Sequence, residues 1–183
     1  DAERRKALDE LAAQAQELRV AGISAVSPAY FKPRTIAAQV ECCAQIASAA
    51  PALPFFHYDI PGMTGVSLPM GEFLERAAER IPNLAGLKFS NLDLMMFQQC
   101  LRANGGRCSV AWGCDEALLS ALVLGCKSAV GSTYNYSGPI ANRLWAAFDR
   151  GDLAAVREDQ FRIVQLVDNL NRRVYLASAK FLM

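Results

Sequence analysis

The sequence has little of what metal sites and redox motifs require. Its 183 residues include a single histidine, His57, and six cysteines without any C-x-x-C spacing. This composition indicates neither a zinc site nor a thioredoxin-like motif, and we interpret the cysteines as small reduced apolar residues. A structural role beside a strand end is the favoured interpretation of His57.

Long apolar runs and an excess of one charge sign are lacking too. No segment reaches the roughly 18 consecutive apolar residues of a membrane span, and the charged start has no signal-peptide core. The formal net charge is +1, without a block of like charges, so nothing favours nucleic acid or an anionic membrane as a partner. We therefore expect a cytoplasmic protein whose partner is a small molecule.

The apolar residues, which make up 52% of the chain, are grouped into alternating helices and short strands. Five strands are expected, at residues 23–27, 53–58, 84–90, 108–112 and 127–132. Each is mostly apolar on both faces, which is typical of a parallel sheet covered by helices. After Thr133 only helices are expected, over about 139–183, and no linker interrupts the single domain expected over 1–183.

Two parallel architectures fit this alternation, the open doubly wound sheet and the (β/α)₈ barrel. An open sheet gathers its functional groups at a switch point, whereas a barrel uses the ends of nearly all its strands. Polar candidates follow four of the expected strands, which favours the barrel. Because a complete barrel needs about eight strands and about 250 residues, we expect an α/β fold that is a partial TIM-type barrel of about five strands, followed by C-terminal helices.

Lys88 lies inside the apolar strand expected at 84–90, where alternation places it on one face with Gly86 and Ser90. Desolvation lowers the pKa of a buried lysine below its free value of about 10.4, which yields a neutral amine that can attack a ketone. Such an amine is a candidate for Schiff-base catalysis. A lysine paired with a buried carboxylate is the alternative that patterning alone leaves open.

Tyr58 ends the preceding strand, so in a barrel its side chain can approach Lys88. A phenol near an imine can move protons, directly or through the carboxylate of a bound 2-oxo acid. For Tyr58 alone, a core residue with a satisfied hydroxyl is the simpler interpretation. Its pairing with Lys88 favours the catalytic one.

Two later strand ends carry polar groups that suit a polyhydroxylated ligand. Asp115 and Glu116 follow Gly113 at a helix start, where complementing the helix dipole is the alternative interpretation. Ser132 and Thr133 supply hydroxyls after the last expected strand, where helix capping is the alternative. These residues are candidates for binding the hydroxyl groups of a substrate.

Four motifs resemble those of N-acetylneuraminate lyases in order and spacing, and the resemblance covers about Leu11 to Met183. They are His57–Pro61 with Thr64–Gly65, Gly86–Ser90 with Asp93–Leu94, Gly113–Glu116, and Gly131–Asn135. The resemblance implies a (β/α)₈ barrel that reversibly cleaves N-acetylneuraminate to pyruvate and N-acetylmannosamine. It implies no metal or organic cofactor, because the covalent imine with pyruvate is the electron sink. A homo-oligomer is the usual assembly of the family.

The resemblance also implies a role for each matching residue. In that family the strand lysine, here Lys88, forms the imine, and the tyrosine of the Y-x-I-P motif, here Tyr58, relays the proton. The residue two after the lysine, here Ser90, lies beside the site. Contacts with the sugar chain are implied for the matching positions Gly113, Asp115, Glu116 and Ser132.

The chain departs from the family at a few positions. Dihydrodipicolinate synthases of the same superfamily usually place a carboxylate-binding arginine where this chain has Met63, so the resemblance favours the sialic-acid branch. Cys114 stands where a bulkier apolar or aromatic residue is expected. The strand at 23–27 matches the fourth of the family barrel, so the first three strands and their pyruvate-carboxylate loop are expected to be absent. Residues 1–10 resemble no family motif.

Three functions are compatible with these features. The first is a Schiff-base aldolase acting on N-acetylneuraminate, and the second is another pyruvate-dependent 2-oxo-acid aldolase of the dihydrodipicolinate synthase type. The third is an inactive partial barrel that serves as an oligomerising module, since the open edges of a parallel sheet are templates for association. The four motifs favour the first function.

Overall fold

The computed structural model describes residues 2–183, without the side chains of residues 2, 4 and 5. The chain folds into two compact units, Asp1–Val110 and Ala111–Met183. The strands are β1 Ile23–Val26, β2 Phe55–Asp59, β3 Leu84–Phe89 and β4 Ser109–Trp112. The helices are α1 Ala2–Glu17, α2 Ile36–Ser48, α3 Pro61–Thr64, α4 Met70–Arg80, α5 Leu94–Arg102, α6 Leu118–Val123, α7 Tyr134–Asp149, α8 Leu153–Asn171 and α9 Tyr175–Leu182. Two 3₁₀ turns lie at Ala103–Gly106 and Asp115–Ala117.

The strands form one sheet in the order β1-β2-β3-β4, and both β1–β2 and β2–β3 are parallel pairs. The ladder between β2 and β3 contains a bulge, in which the register skips Ala85. Without that shift Tyr58 would stand opposite Leu87, whereas with it Tyr58 stands opposite Lys88. The bulge therefore sets which residues of the two strands are neighbours.

Helices α2, α4 and α5 cover the sheet of the first unit with apolar side chains. The rings of Phe89 in β3 and Phe97 in α5 pack with their centroids 5.4 Å apart. Each fully buried side chain of this size contributes about 1.5–3 kcal/mol to folding. The fully buried residues of this core include Phe55, Phe73, Leu74, Leu87, Phe89 and Phe97.

The second unit is built mainly on the pair of helices α7 and α8. Asp159 of α8 is buried and accepts hydrogen bonds from Arg143 of α7 and Arg162 of its own helix. The Arg143 guanidinium holds the pKa of this carboxyl below its usual range. Over residues 2–183, no helix is both long and apolar enough to cross a membrane.

Four of the five expected strands form, but the fifth, at 127–132, is wrong. In this part of the described chain only Ala129 pairs, through an isolated parallel bridge with Trp112. The segment does not continue as a strand because the N–H of Thr133 donates to the Asp115 carboxylate, at 2.8 Å, instead of to a neighbouring strand. The chain then turns directly into α7.

Two further segments differ from the expected elements. The C-terminal helices begin at Tyr134 rather than near Pro139, because the N–H and the hydroxyl of Ser137 both donate to the Thr133 carbonyl and start the helix a turn earlier. Proline favours the first turn of a helix, which is why Pro139 indicates a later start in the sequence. The tight loop expected at residues 60–65 forms the one-turn helix α3, which ends at Gly65 in the left-handed conformation (φ 64°).

Candidate functional site

Lys88 and Tyr58 face each other across the parallel strands β2 and β3. They are direct partners in the register of the ladder, and such partners point to the same face of a sheet. The Lys88 ammonium nitrogen lies over the Tyr58 ring, 4.1 Å from its centroid. At that distance the negative face of the ring attracts a cation. The structure therefore places the two predicted catalytic side chains in contact.

Lys88 is half-buried, whereas the sequence indicates an amine enclosed by a barrel. The next residue on its face of the strand, Ser90, is small and also half-buried. No bulky side chain of β3 therefore covers the amine on that side. An amine in this position is accessible to a small ligand.

A second set of contacts ties the chain after β3 to the end of β2. The Ser90 N–H donates to the main-chain carbonyl of Asp59 at 2.8 Å, and the side chain of Asn91 donates to the Asp59 carboxyl. Asp59 is 4% exposed, and strand alternation directs it to the face opposite Tyr58. Burial raises the pKa of Asp59 to about 6, and the hydrogen bond from Asn91 opposes this rise.

His57 has the structural environment that the sequence indicates. Its ring is completely buried and packs on Phe73 with the centroids 4.8 Å apart. Nδ1 lies 3.1 Å from the Ala25 carbonyl oxygen, which can only accept, so Nδ1 carries the hydrogen. Burial lowers the pKa of His57 to about 4, although the hydrogen bond to the Ala25 carbonyl acts in the opposite direction. The imidazole is therefore neutral and serves to join β2 to β1.

Asp115 in the second unit joins two of the sequence motifs into one polar cluster. Its Oδ2 accepts the Thr133 N–H at 2.8 Å and the Thr133 hydroxyl at 2.6 Å. Gly131 packs so closely on the same carboxylate that a Cβ at this position would overlap Oδ1. Burial, and then the Asp115 charge, raise the pKa of Tyr134 beside it. Asp115 thus holds the start of α7 in place.

Glu116, Ser132 and Gly113 surround this cluster in the sequence and are more accessible. Glu116 and Ser132 are exposed, and Gly113 is half-buried where β4 ends. The Ser132 hydroxyl lies 2.7 Å from the hydroxyl of Tyr175 in α9, so the two are hydrogen-bonded. Ser132 therefore does not cap α7, which disfavours the capping interpretation of this residue.

The predicted site residues are brought together within each unit. Those of the first unit are Tyr58, Lys88 and Ser90, and those of the second are Gly113, Asp115, Glu116 and Ser132. Sequence reasoning missed Asp59, whose burial is not visible in a motif, and Tyr175, which no motif contains. Within residues 2–183 no group of three or more histidine, cysteine, aspartate and glutamate side chains could hold a metal ion.

Known proteins match this chain over most of its length. The model of the dihydrodipicolinate synthetase family matches residues 5–183. The N-acetylneuraminate lyase of Rattus norvegicus is 44% identical over 164 residues, which are 89% of this chain and 51% of the rat protein. The chain therefore spans about half the length of this relative.

Two solved structures are similar to the fold. Proteus mirabilis N-acetylneuraminate lyase superposes with a TM-score of 0.93 at 36% identity, over 96% of this chain and 59% of that one. A catalytic lysine mutant of Ruminococcus gnavus sialic acid aldolase gives a TM-score of 0.82 at 27% identity, over 88% of this chain and 52% of that one. These matches confirm the expected fold class, a parallel β/α fold of the TIM-barrel type with C-terminal helices.

Proposed function

The chain belongs to the dihydrodipicolinate synthetase family, and we propose that it carries the site of a class I aldolase that cleaves N-acetylneuraminate. The proposed products are pyruvate and N-acetylmannosamine, in a reversible reaction. The names of the rat and Proteus mirabilis relatives support this substrate. The chain spans about half of the rat protein, and its own residues supply the chemistry of the proposed reaction.

The observation that carries the proposal is the contact between Lys88 and Tyr58. A class I aldolase needs a nucleophilic amine and, beside it, a group that moves protons. The Lys88 nitrogen, 4.1 Å from the centre of the Tyr58 ring, places both groups side by side. The Ruminococcus gnavus sialic acid aldolase is described as having a catalytic lysine, which supports the same role for Lys88.

In the proposed reaction the Lys88 ammonium first loses a proton to solvent, and the amine then attacks the C2 ketone of the open-chain sugar acid. Loss of water gives an iminium, whose nitrogen accepts the electron pair of the breaking C3–C4 bond. The C4 hydroxyl loses its proton and becomes the aldehyde of N-acetylmannosamine, while C3 remains as an enamine carbon. Protonation of C3 and hydrolysis then release pyruvate and restore the amine. The iminium is the electron sink, so these steps need no metal or organic cofactor.

Tyr58 has two separable roles in this proposal. The face of its ring attracts the Lys88 ammonium before substrate binds, an interaction of about 0.5–2 kcal/mol. Its hydroxyl relays the proton that leaves the C4 hydroxyl: it accepts this proton while passing its own on towards C3, directly or through the substrate carboxylate. Ser90, small and half-buried on the Lys88 face, lies beside the imine.

The residues of the second unit are proposed to bind the polyhydroxylated part of the substrate. Glu116 and Ser132 are exposed and offer a carboxylate and a hydroxyl to sugar hydroxyl groups. Asp115 is buried, and its Oδ2 holds Thr133, the neighbour of Ser132, in place. Gly113 contributes a main chain that is not covered by a side chain of its own.

The nature of the substrate and the assembly are proposed from further features. Met63 is 79% exposed and uncharged, so it cannot pair with a second substrate carboxylate, which favours sialic acid over a dihydrodipicolinate-type substrate. The six cysteines are all free, which supports a reducing, cytoplasmic location. Exposed apolar side chains such as Phe31 and Phe181 support a homo-oligomer.

The test is the release of pyruvate from N-acetylneuraminate by the 183-residue chain, compared with release from other 2-oxo-3-deoxy sugar acids. We expect Lys88→Met to abolish pyruvate release, because no other residue can form the imine at this position. The matched control is Lys127→Met, which changes an exposed lysine and should leave the rate unchanged. Release that survives Lys88→Met, or a wild-type chain that releases no pyruvate, would overturn the proposal.

A further inference from the structure

A series of hydrogen bonds runs from the end of β2 through Asp59 to the start of α5. The Asp59 carbonyl accepts the Ser90 N–H at 2.8 Å, and its carboxyl accepts from the side chain of Asn91. The amide oxygen of Asn91 accepts the N–H of Asp93 at 3.1 Å. Asp93 in turn caps α5 by accepting the Met96 N–H at 2.9 Å. The segment 90–93, which directly follows β3, is thereby held at both ends.

The stability of the fold alone gives no reason for an acid at position 59. Asp59 is 4% exposed, and its Oδ2 receives no hydrogen bond from any described residue. A buried carboxylate with an unused oxygen is destabilising, and an asparagine could accept the same bond from Asn91 without the charge. A costly buried acid directly after a proposed proton carrier, Tyr58, is typical of a functional group.

We propose that Asp59 is a positioning residue for the imine chemistry at Lys88, because its carboxylate holds the segment 90–93, and with it Ser90, against the end of β2. The inference rests on the proposed function of Lys88 and Tyr58. A charged acceptor binds the Asn91 amide more strongly than a neutral one does. Protonation of the Asp59 carboxylate therefore weakens its hydrogen bond from Asn91, and with it the attachment of the segment 90–93 to β2.

The pH at which this occurs follows from the surroundings of Asp59. Burial raises its pKa to about 6, so the hold is expected to weaken as the pH falls through that value. Among ionisable groups, Cys100 of α5 interacts with the Asp59 charge and has Asp93 and Cys108 as its other neighbours, and His57 lies two residues before Asp59 on the same strand. Burial raises the pKa of Cys100 to about 12 and lowers that of His57 to about 4, so neither changes charge near pH 6.

The test compares the wild-type chain with Asp59→Asn and Asn91→Ala. Two quantities are measured across the pH range around 6, the rate at which borohydride traps the pyruvate imine and the hydrogen–deuterium exchange of the segment 90–93. We expect both variants to trap about tenfold more slowly at neutral pH and to exchange faster. The ratio of wild-type to Asp59→Asn rates should fall as the pH drops below about 6, because only the wild type loses a charge there.

The control is Glu41→Gln, which changes an exposed carboxylate paired with Arg80 and should alter neither quantity. A rate ratio that is constant with pH, or exchange equal to that of wild type in both variants, would overturn the role of Asp59. Asn91→Ala removes the same hydrogen bond but keeps the charge at position 59. It therefore tests whether this bond positions the segment 90–93 even where Asp59→Asn fails to fold. A wild-type chain that forms no adduct would overturn the proposed function itself, and the positioning role with it.

Discussion

Tyr58 presents two different surfaces to its neighbourhood, and they can be separated by substitution. The ring face lies against the Lys88 nitrogen at 4.1 Å, whereas the hydroxyl is at the ring edge. Phenylalanine keeps the face and removes the hydroxyl. Holding the Lys88 amine and moving the proton are therefore two separate roles of this one residue.

Tyr58→Phe should retain imine formation while losing turnover. We expect the rate of borohydride trapping with pyruvate to stay close to that of wild type, because the ring still attracts Lys88. Cleavage of N-acetylneuraminate should fall by about 10²–10⁴-fold, the usual contribution of a positioned proton carrier. Trapping and steady-state cleavage are measured on the same preparations, with Tyr58→Ala as the variant that loses both roles. Cleavage at the wild-type rate in Tyr58→Phe would contradict the proposed proton transfer.

Position 131 must be a glycine because of a single close contact. A methyl group there would overlap Asp115 Oδ1, so Gly131→Ala must displace the carboxylate that holds Thr133. We expect a loss of about 1–3 kcal/mol in the free energy of unfolding, measured by urea denaturation. Gly62→Ala is the control, because nothing lies within 4 Å of a Cβ there. Equal stabilities of the two variants would show that Asp115 is not held as described.

The bulge between β2 and β3 is the feature of most consequence at the scale of elements. It shifts the register so that Lys88, and not Leu87, stands opposite Tyr58. Gly86 directly follows the skipped residue and allows β4 to approach β3 closely, since a Cβ there would overlap the backbone of Ser109 in β4. The glycine is therefore needed for the packing of β4 against the part of β3 that leads to Lys88.

Gly86→Ala is expected to affect stability and chemistry together. Backbone atoms cannot move aside as a flexible side chain can, so β3 must shift, at a cost of about 1–3 kcal/mol or more. The shift should also slow imine trapping at Lys88 by moving it away from Tyr58. Urea denaturation and trapping rates on the folded fraction measure the two effects. A variant with wild-type stability would mean that the close approach of β3 and β4 is not as described.

The alternation of helices and apolar strands was sufficient to predict β1 to β4, because each carries its own local pattern. It failed at 127–132, where the Thr133 N–H donates to Asp115 and ends the pairing after Ala129. The same bond, with those of Ser137, moves the start of α7 ahead of Pro139. Contacts between residues distant in sequence decide such boundaries, and a local pattern does not contain them.

The candidate site was predictable to a similar extent. The positions of Tyr58 and Lys88 at the ends of adjacent strands follow from the pattern, but their direct pairing depends on the bulge that skips Ala85. The sequence pattern does not distinguish Asp59 from an ordinary polar residue at the start of a loop. Its burial, and hence its pKa of about 6, arise only when Asn91 packs against the end of β2.

At the scale of the whole molecule, the chain consists of two compact units and spans about half the length of the rat relative. The interpretation of residues 1–183 as one barrel-type domain stays a prediction. An inactive partial barrel and an aldolase share every feature of fold and family described above. They differ in whether the Lys88 amine forms a covalent bond with pyruvate.

That bond can be observed directly. The chain is incubated with pyruvate and borohydride, digested, and its peptides are sequenced by mass spectrometry. The proposed Schiff-base chemistry predicts a 1-carboxyethyl group on Lys88 that depends on both reagents. The group should be absent from Lys88→Met and from the exposed Lys32 and Lys127. A chain without the adduct, or one modified on exposed lysines with no preference for Lys88, would contradict it.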